Sequence, residues 1–456
     1  MDWARPWLWA FPASLVSAAL FQAALPPVNV SLLAWVALVP TLAVCKGRGF
    51  AFGFVTGLTT MMLSAWLAAR GTWCAPSLIG ADPGWIYAGF AVFGLVNGLV
   101  HGLVGESKPD KSVWWTPFLY AAWAVLFEAA TMVYLPVHWA LTQWTHQPLL
   151  RFASVTGIWG VSFLGWAVNV ALAQNLGSRR PLAAWCAAAV ALAGLGIVKF
   201  PPAPGRALAV AVQSSADDET LFLRSLSERD DVVPAIVVWP EASGLLFAPG
   251  GDDSRLRAMA SVKGVPNFAT SYDDANRPLP FNTMSVYSEG RALGTYRKRM
   301  LFGGERATHV AGSEAASAGP FGLNVCFDSC FPAVMRETSL IRGVNVILLP
   351  TLDPASPFGV TQAIHAAYTP FRSAELGVAI VRAEANAYSM ITDSNGSVLA
   401  LAGSGTDETI TARVGMAHGT VYKTLGDWPL LFCAIGAVYG VYAWWSRRPK
   451  ASAPSQ

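Results

Sequence analysis

FGLNVCFDSCFP, residues 321–332, is the stretch whose reading decides the fold of the second half of the chain. Leu323 and Val325 alternate with Asn324, the period-two pattern of a half-buried strand. The pattern stops at Cys326, and Asp328, Ser329 and Pro332 follow, where a strand ends and a helix opens. A thiol at such a junction is carried by a rigid element. Backbone N–H groups beside it lower a thiol pKa and can receive a developing oxyanion. A lone cysteine of this kind is most often an ordinary core residue. Cys326 therefore has to be weighed against what the rest of the chain supplies.

The chain has 456 residues, too many for one ordinary domain. Hydrophobic residues make up 54% and charged residues 13%, well under the charged share usual in soluble proteins. Mean hydropathy is +0.42, and the 19 tryptophans are of the type favoured at membrane interfaces. This composition belongs to a membrane protein. A net charge of +3 without any Lys/Arg-rich block gives no footprint for nucleic acid. The six cysteines are scattered, not arranged as a disulfide framework.

Apolar stretches near the length of a spanning helix occupy about 7–25, 32–44, 50–69, 85–104, 114–135, 152–176 and 182–200, with an eighth at about 428–445. The second is short unless it borrows from its flanks. Asp2 and Arg5 at the start, and the six further spans before residue 200, speak against a cleaved signal peptide. Basic residues follow alternate spans: Lys46 and Arg48, Lys108 and Lys111, Arg179 and Arg180, then Arg447, Arg448 and Lys450. The other connections are poorer, holding only Arg70 and Arg151. The positive-inside rule then puts both termini in the cytoplasm and the polar insert outside. The expected organisation is a seven-span bundle over 1–200, a globular domain over 201–424, and a last span with a cytoplasmic tail over 425–456.

The insert reads as alternating strands and helices. Short buried strands are expected at 207–212, 235–239, 283–287, 344–349, 377–381 and 387–392, with a helix at 361–376 ending on Gly377. This predicts an α/β domain whose strands are covered on both faces. Three polar residues fall at or beyond strand ends: Glu241, Lys298 and Cys326. A carboxylate can take a thiol proton, the thiolate can attack a carbonyl, and an ammonium can stabilise the resulting oxyanion.

W-P-E at 239–241, Y-R-K at 296–298 and the strand-terminal Cys326, in that order, resemble the nitrilase superfamily with its Glu–Lys–Cys triad. Such a domain placed before the last of eight spans resembles the bacterial apolipoprotein N-acyltransferase family. Further agreement comes from WAVLFE ending at Glu128, HWALTQW at 138–144, GIWGVSFLGWAVN at 157–169, VAVQ at 210–213, FNT at 281–283 and FGGE at 302–305. The resemblance covers nearly the whole chain. It implies an αββα sandwich for the insert and a catalytic set of Glu241, Lys298 and Cys326. Glu305, Asn282 and Asp328 are implied as supporting residues.

It also implies a multi-pass protein of the bacterial cytoplasmic membrane with its catalytic domain on the periplasmic side. The acyl donor would be a phospholipid and the acceptor the α-amino group of a diacylglyceryl-cysteine lipoprotein. No cofactor and no metal are implied, and His309, His365 and the cysteines show no recognisable zinc spacing. Phe302, beside Gly303 and Gly304, and Phe358, beside Pro357 and Gly359, are expected as a movable apolar lid. Cys330 is expected to be a wall residue, although its spacing from Cys326 would also allow a disulfide in an oxidising compartment.

Some residues depart from the family pattern. Glu305 lies one residue closer to Lys298 than expected, Phe327 and Asp328 stand where Tyr and Glu are expected, and PTLDPASPF at 350–358 replaces an N-D-x-W-F type of loop. That loop keeps open a membrane-anchored amidase, in which water replaces the amine. A non-catalytic lipid-binding scaffold is the other alternative.

Overall fold

The computed structural model describes residues 5–68, 83–106, 115–132, 137–214, 217–227, 233–274, 278–353 and 359–446. Arg70, Lys108, Lys111, Arg447, Arg448, Lys450 and the lid residue Phe358 lie outside them. The first half is helical: α1 (Arg5–Ala24), α2 (Val39–Cys45), α3 (Phe50–Ala68), α4 (Pro83–Glu106), α5 (Thr116–Thr131), α6 (Gln147–Asn175) and α7 (Arg179–Gly194). Among the described residues, three helices are long and apolar enough to cross a membrane: Trp7–Ala24, Gln147–Asn175 and Arg179–Ile197. Ser31–Cys45, Phe50–Ser64 and Trp428–Tyr442 are shorter apolar helices. On α7 and the C-terminal helix, Val190, Leu431, Phe432 and Val438 are exposed, an apolar surface of the kind that faces lipid.

The stretch expected as a single span at 32–44 is broken. A 3₁₀ turn, Ser31–Trp35, precedes α2, whose first turn contains Pro40. Asn169 of α6 satisfies both sides of the break, its Oδ1 accepting from Leu38 N at 2.9 Å and its Nδ2 donating to the Ala34 carbonyl at 2.9 Å. Irregular backbone is tolerated in an apolar setting only when protein groups meet its hydrogen bonds in this way. Glu128 of α5 plays a similar part. Its Oε1 accepts from Trp139 N at 3.0 Å and from the Trp166 indole at 2.8 Å, binding the 137–143 connection to α6.

In the domain, strands β1 (Ala207–Gln213), β2 (Ile236–Val238), β3 (Phe268–Asp274), β4 (Phe281–Ser288), β5 (Arg291–Arg297) and β12 (Glu408–Val414) form one six-stranded sheet in the order β12-β1-β2-β3-β4-β5. Strands β6 (Ala316–Ala318), β7 (Phe321–Leu323), β8 (Val346–Thr351), β9 (Ala379–Glu384), β10 (Met390–Thr392) and β11 (Val398–Leu401) form the second, in the order β11-β10-β9-β8-β7-β6. The strand period explains the layering. Val210 and Val212 of β1 pack outward with Phe222, Leu226 and Leu256 of helices α8 (Glu219–Ser227) and α9 (Ser254–Ala260). Ala209 and Ala211 of the same strand turn inward, to the core shared with Leu348 of β8 and Val381 of β9. Ile347 and Leu349 face the opposite way, toward Met335 of α10 (Pro332–Leu340) and Leu376 of the helix before β9. Two sheets face to face with helices outside make the αββα arrangement.

The expected helix at 361–376 is two helices, α11 (Gly359–Ala366) and α12 (Tyr368–Leu376), with Gly377 as a left-handed cap at φ 63°. Helix α12 docks on the bundle. Within α6, Gly157 has φ 65° and breaks the helix, and the freed Ile158 N donates to Glu375 Oε1 of α12 at 2.6 Å. A Cβ at Gly157 would sit 2.4 Å from the Tyr422 ring, so only glycine fits this joint. After β12 and a short helix, Val421–Leu425, the last helix, α13 (Trp428–Ser446), returns along α5 and α6.

Candidate active site

β2 and β3 are parallel, and β5, two antiparallel steps from β3, points the same way. β7, β8 and β9 are also mutually parallel. Residues just past the C-terminal ends of these strands therefore collect along one edge of the sandwich. Glu241 lies beyond β2, Lys298 beyond β5, Cys326 beyond β7 and Asp353 beyond β8.

Lys298, 2% exposed, sits between two carboxylates, 2.8 Å from Glu241 Oε1 and 2.6 Å from Glu305 Oε2. Asn282 bridges the same pair, its Nδ2 donating to Glu241 Oε1 at 2.6 Å and to Glu305 Oε1 at 3.1 Å. The remaining oxygens are also held. Leu352 N donates to Glu241 Oε2 at 2.9 Å, and Phe302 N to Glu305 Oε2 at 2.8 Å. Glu305 thus joins the group despite its shortened spacing from Lys298, because the short helix Glu305–Thr308 turns it back.

Cys326 opens a 3₁₀ turn, Cys326–Cys330, with φ 49°, a left-handed conformation unusual for a non-glycine residue. Asp328 braces the turn. It accepts from Val325 N at 2.9 Å, from the Tyr296 hydroxyl at 2.7 Å and from Met300 N at 2.8 Å, so one buried carboxylate fixes the cysteine turn to the Lys298 segment. Phe302 is partly exposed and its ring meets Phe327 edge-on at 5.1 Å, which puts it next to the cysteine turn. Cys330 is buried and both cysteines are free thiols. His309 pairs with Asp273 at 3.1 Å.

One cluster was not anticipated from the sequence. A His365 nitrogen, an Asp353 oxygen and Cys326 Sγ lie within 4.8 Å of one another. Both ring nitrogens of His365 are engaged, Nδ1 with Asp353 Oδ1 at 2.7 Å and Nε2 with Ser329 Oγ at 3.0 Å. Arg382 and Glu384 stand behind Asp353. The altered loop drew attention to Asp353, but His365 lies on a helix twelve residues away and no local signal connects them.

Electrostatics follow from this packing. Burial and the negative charge of Glu241 push the Cys326 thiol well above its ordinary range, against the opposing pull of Lys298. Burial would lower Lys298, but the charges of Cys326 (once it is a thiolate), Glu241 and Glu305 hold its ammonium well above the usual lysine value. Burial would also raise Glu305, yet Lys298 keeps it below the usual carboxylate range. The resting arrangement is a neutral thiol beside a locked ammonium and two carboxylates, so thiolate formation needs a base.

Comparison with known proteins agrees with this geometry. Residues 17–171 match the family described as apolipoprotein N-acyltransferase N-terminal domain, and residues 236–423 match the carbon-nitrogen hydrolase family. The chain is similar to the apolipoprotein N-acyltransferase of Geobacter metallireducens, with 24% identity covering 93% of each chain. It is similar to that of Thermotoga maritima at 23% identity over 94% of this chain and 92% of that one. Apolipoprotein N-acyltransferase 1 of Treponema denticola is 23% identical over 88% and 89%.

The charge pattern predicts the response to neutralising Lys298. In Lys298→Met the positive charge that favours the thiolate is gone while Glu241 stays, so the thiol pKa rises further. Iodoacetamide should then alkylate Cys326 more slowly at a fixed pH below the wild-type thiol pKa, by roughly tenfold per unit of rise. Intact-mass kinetics at pH 8 would read this, and an equal or faster rate would contradict the electrostatic picture.

Proposed function

We infer that this chain, which belongs to the apolipoprotein N-acyltransferase family, is a membrane N-acyltransferase of lipoprotein maturation that works through a thioester on Cys326. The observation that carries this reading is the Lys298 ammonium held between Glu241 and Glu305 at the strand edge where Cys326 ends β7. Glu241 takes the Cys326 proton, and the thiolate attacks an ester carbonyl of a phospholipid. Lys298 stabilises the tetrahedral oxyanion. On collapse, Glu241 returns the proton to the departing alkoxide, so lysophospholipid leaves and the acyl thioester remains.

In the second half-reaction the α-amino group of a diacylglyceryl-cysteine lipoprotein attacks the thioester. Glu241 takes the amine proton and hands it to the leaving thiolate, which regenerates the thiol and leaves an N-acyl amide. The cycle is ping-pong. Asn282 and Glu305 hold the Glu241–Lys298 pair, Asp328 holds the cysteine turn, and Phe302 with Phe358 keeps water from the thioester.

The organisation proposed with it is a bundle over 1–200, a catalytic domain over 201–424 and a final span over 425–456. Eight passes of the bacterial inner membrane put the catalytic domain on the outer side. Basic connections at Lys46, Arg48, Arg179 and Arg180 support that orientation.

Mixed with phospholipid alone, the protein should gain one acyl chain on Cys326 that persists for many minutes in intact-mass spectra. Adding a diacylated lipopeptide should clear it quickly. Clearance by water at the same rate would favour hydrolysis over transfer. For the orientation, a reporter active only in an oxidising compartment should be silent when fused after Gln456, and strong activity there would sink the topology.

A further inference from the structure

The strained conformation of Cys326 has two braces, and the mechanism above uses only one. Asp328 holds the N–H side of the turn. The carbonyl side is met by a second set of groups, with Ser329 Oγ 2.8 Å and His365 Nε2 3.3 Å from the Cys326 carbonyl oxygen. Ser329 Oγ and His365 Nε2 are themselves 3.0 Å apart, and His365 Nδ1 is 2.7 Å from Asp353 Oδ1.

The chain of contacts continues into rigid structure. Asp353 Oδ2 accepts from Arg382 Nη2 at 2.8 Å, Arg382 also reaches Glu384 Oε2 at 2.7 Å, and Asp353 N donates to Glu384 Oε1 at 2.7 Å. Ser329, Arg382 and Glu384 are fully buried, and Asp353 and His365 nearly so. Burial would raise the Asp353 carboxyl, yet His365 and Arg382 hold it below its usual range.

We propose that Ser329, His365 and Asp353 form a buried positioning relay that fixes the Cys326 carbonyl and so aims Sγ at the acyl donor. Three elements meet in it: the cysteine turn, the end of β8 and helix α11. A left-handed non-glycine backbone is strained and persists only where its surroundings enforce it. An imidazole locked by a carboxylate on one nitrogen presents the other in a fixed direction. Here that direction is the hydroxyl and carbonyl beside the nucleophile. The relay touches no substrate and acts through Cys326, so it rests on the reading of Cys326 as the acylated residue.

The test uses the full-length protein in detergent micelles, with Ser329→Ala and His365→Gln. The rate of Cys326 acylation is read from lysophospholipid release with phospholipid and, in parallel, from the nitrophenolate burst with p-nitrophenyl acetate. His365→Gln should slow acylation at saturating phospholipid by about 10²-fold, the scale of a small misplacement of the reacting atom. Ser329→Ala, which loses the hydroxyl's contacts to the Cys326 carbonyl and His365, should cost about tenfold. The phospholipid KM should stay within about twofold and Tm within a few degrees, a split that loss of folded protein would not produce.

Acylation within threefold of wild type in both variants, or a rise in KM alone, would overturn the relay. Wild type that bursts with the nitrophenyl ester but ignores phospholipid would refute the donor assignment, and the relay would stand or fall on the variants' bursts. No burst from either ester in the wild type removes the nucleophile and the relay together.

Discussion

A single buried ammonium, Lys298 between Glu241 and Glu305, is the constraint on which the rest of the site depends. Two carboxylates cannot share a dry site without a cation between them, and removing one partner of such a group costs roughly 3–5 kcal/mol. Asn282 adds a neutral bridge between the same acids, so the spacing of Glu241 and Lys298 is fixed from two directions. Burial and the Glu241 charge hold the neighbouring thiol well above its ordinary range, with Lys298 pulling the other way. On the proposed reading, such a site guards its thiol from random alkylation, and the nucleophile forms when Glu241 takes the proton.

The site is attached to the bundle by equally specific groups. Glu375 supplies the hydrogen bond that α6 loses at Gly157, Asp427 accepts from the Trp159 indole at 2.7 Å, and the His138 ring stands edge-on to Tyr368 at 5.8 Å. These contacts tie His138, Ile158 and Trp159 of the bundle to α12 and to the residue just before α13. The distance of the domain from the bundle is therefore set by paired polar groups instead of a loose linker.

Much of this was legible in the chain because the signals are local. Val210–Val212 and Val346–Leu349 carry apolar residues at consecutive positions, which marks strands covered on both faces, and Glu241 sits just beyond another such run, Ile236–Trp239. Other features depend on partners distant in sequence. The break at 36–38 is satisfied by Asn169, which the local pattern around Leu38 cannot announce. β5 is an edge strand with alternating exposure, and its polar residues concealed it. The relay joins Ser329, Asp353 and His365 only after β7 and β8 pair, so no spacing rule could have linked them.

The most direct test of the central claim is single-turnover release of lysophospholipid by Glu241→Gln compared with wild type. If Glu241 is the base that frees the Cys326 thiolate, the variant should release product at least 10²-fold more slowly, the lower end of what a general base contributes. Release at the wild-type rate would contradict the account.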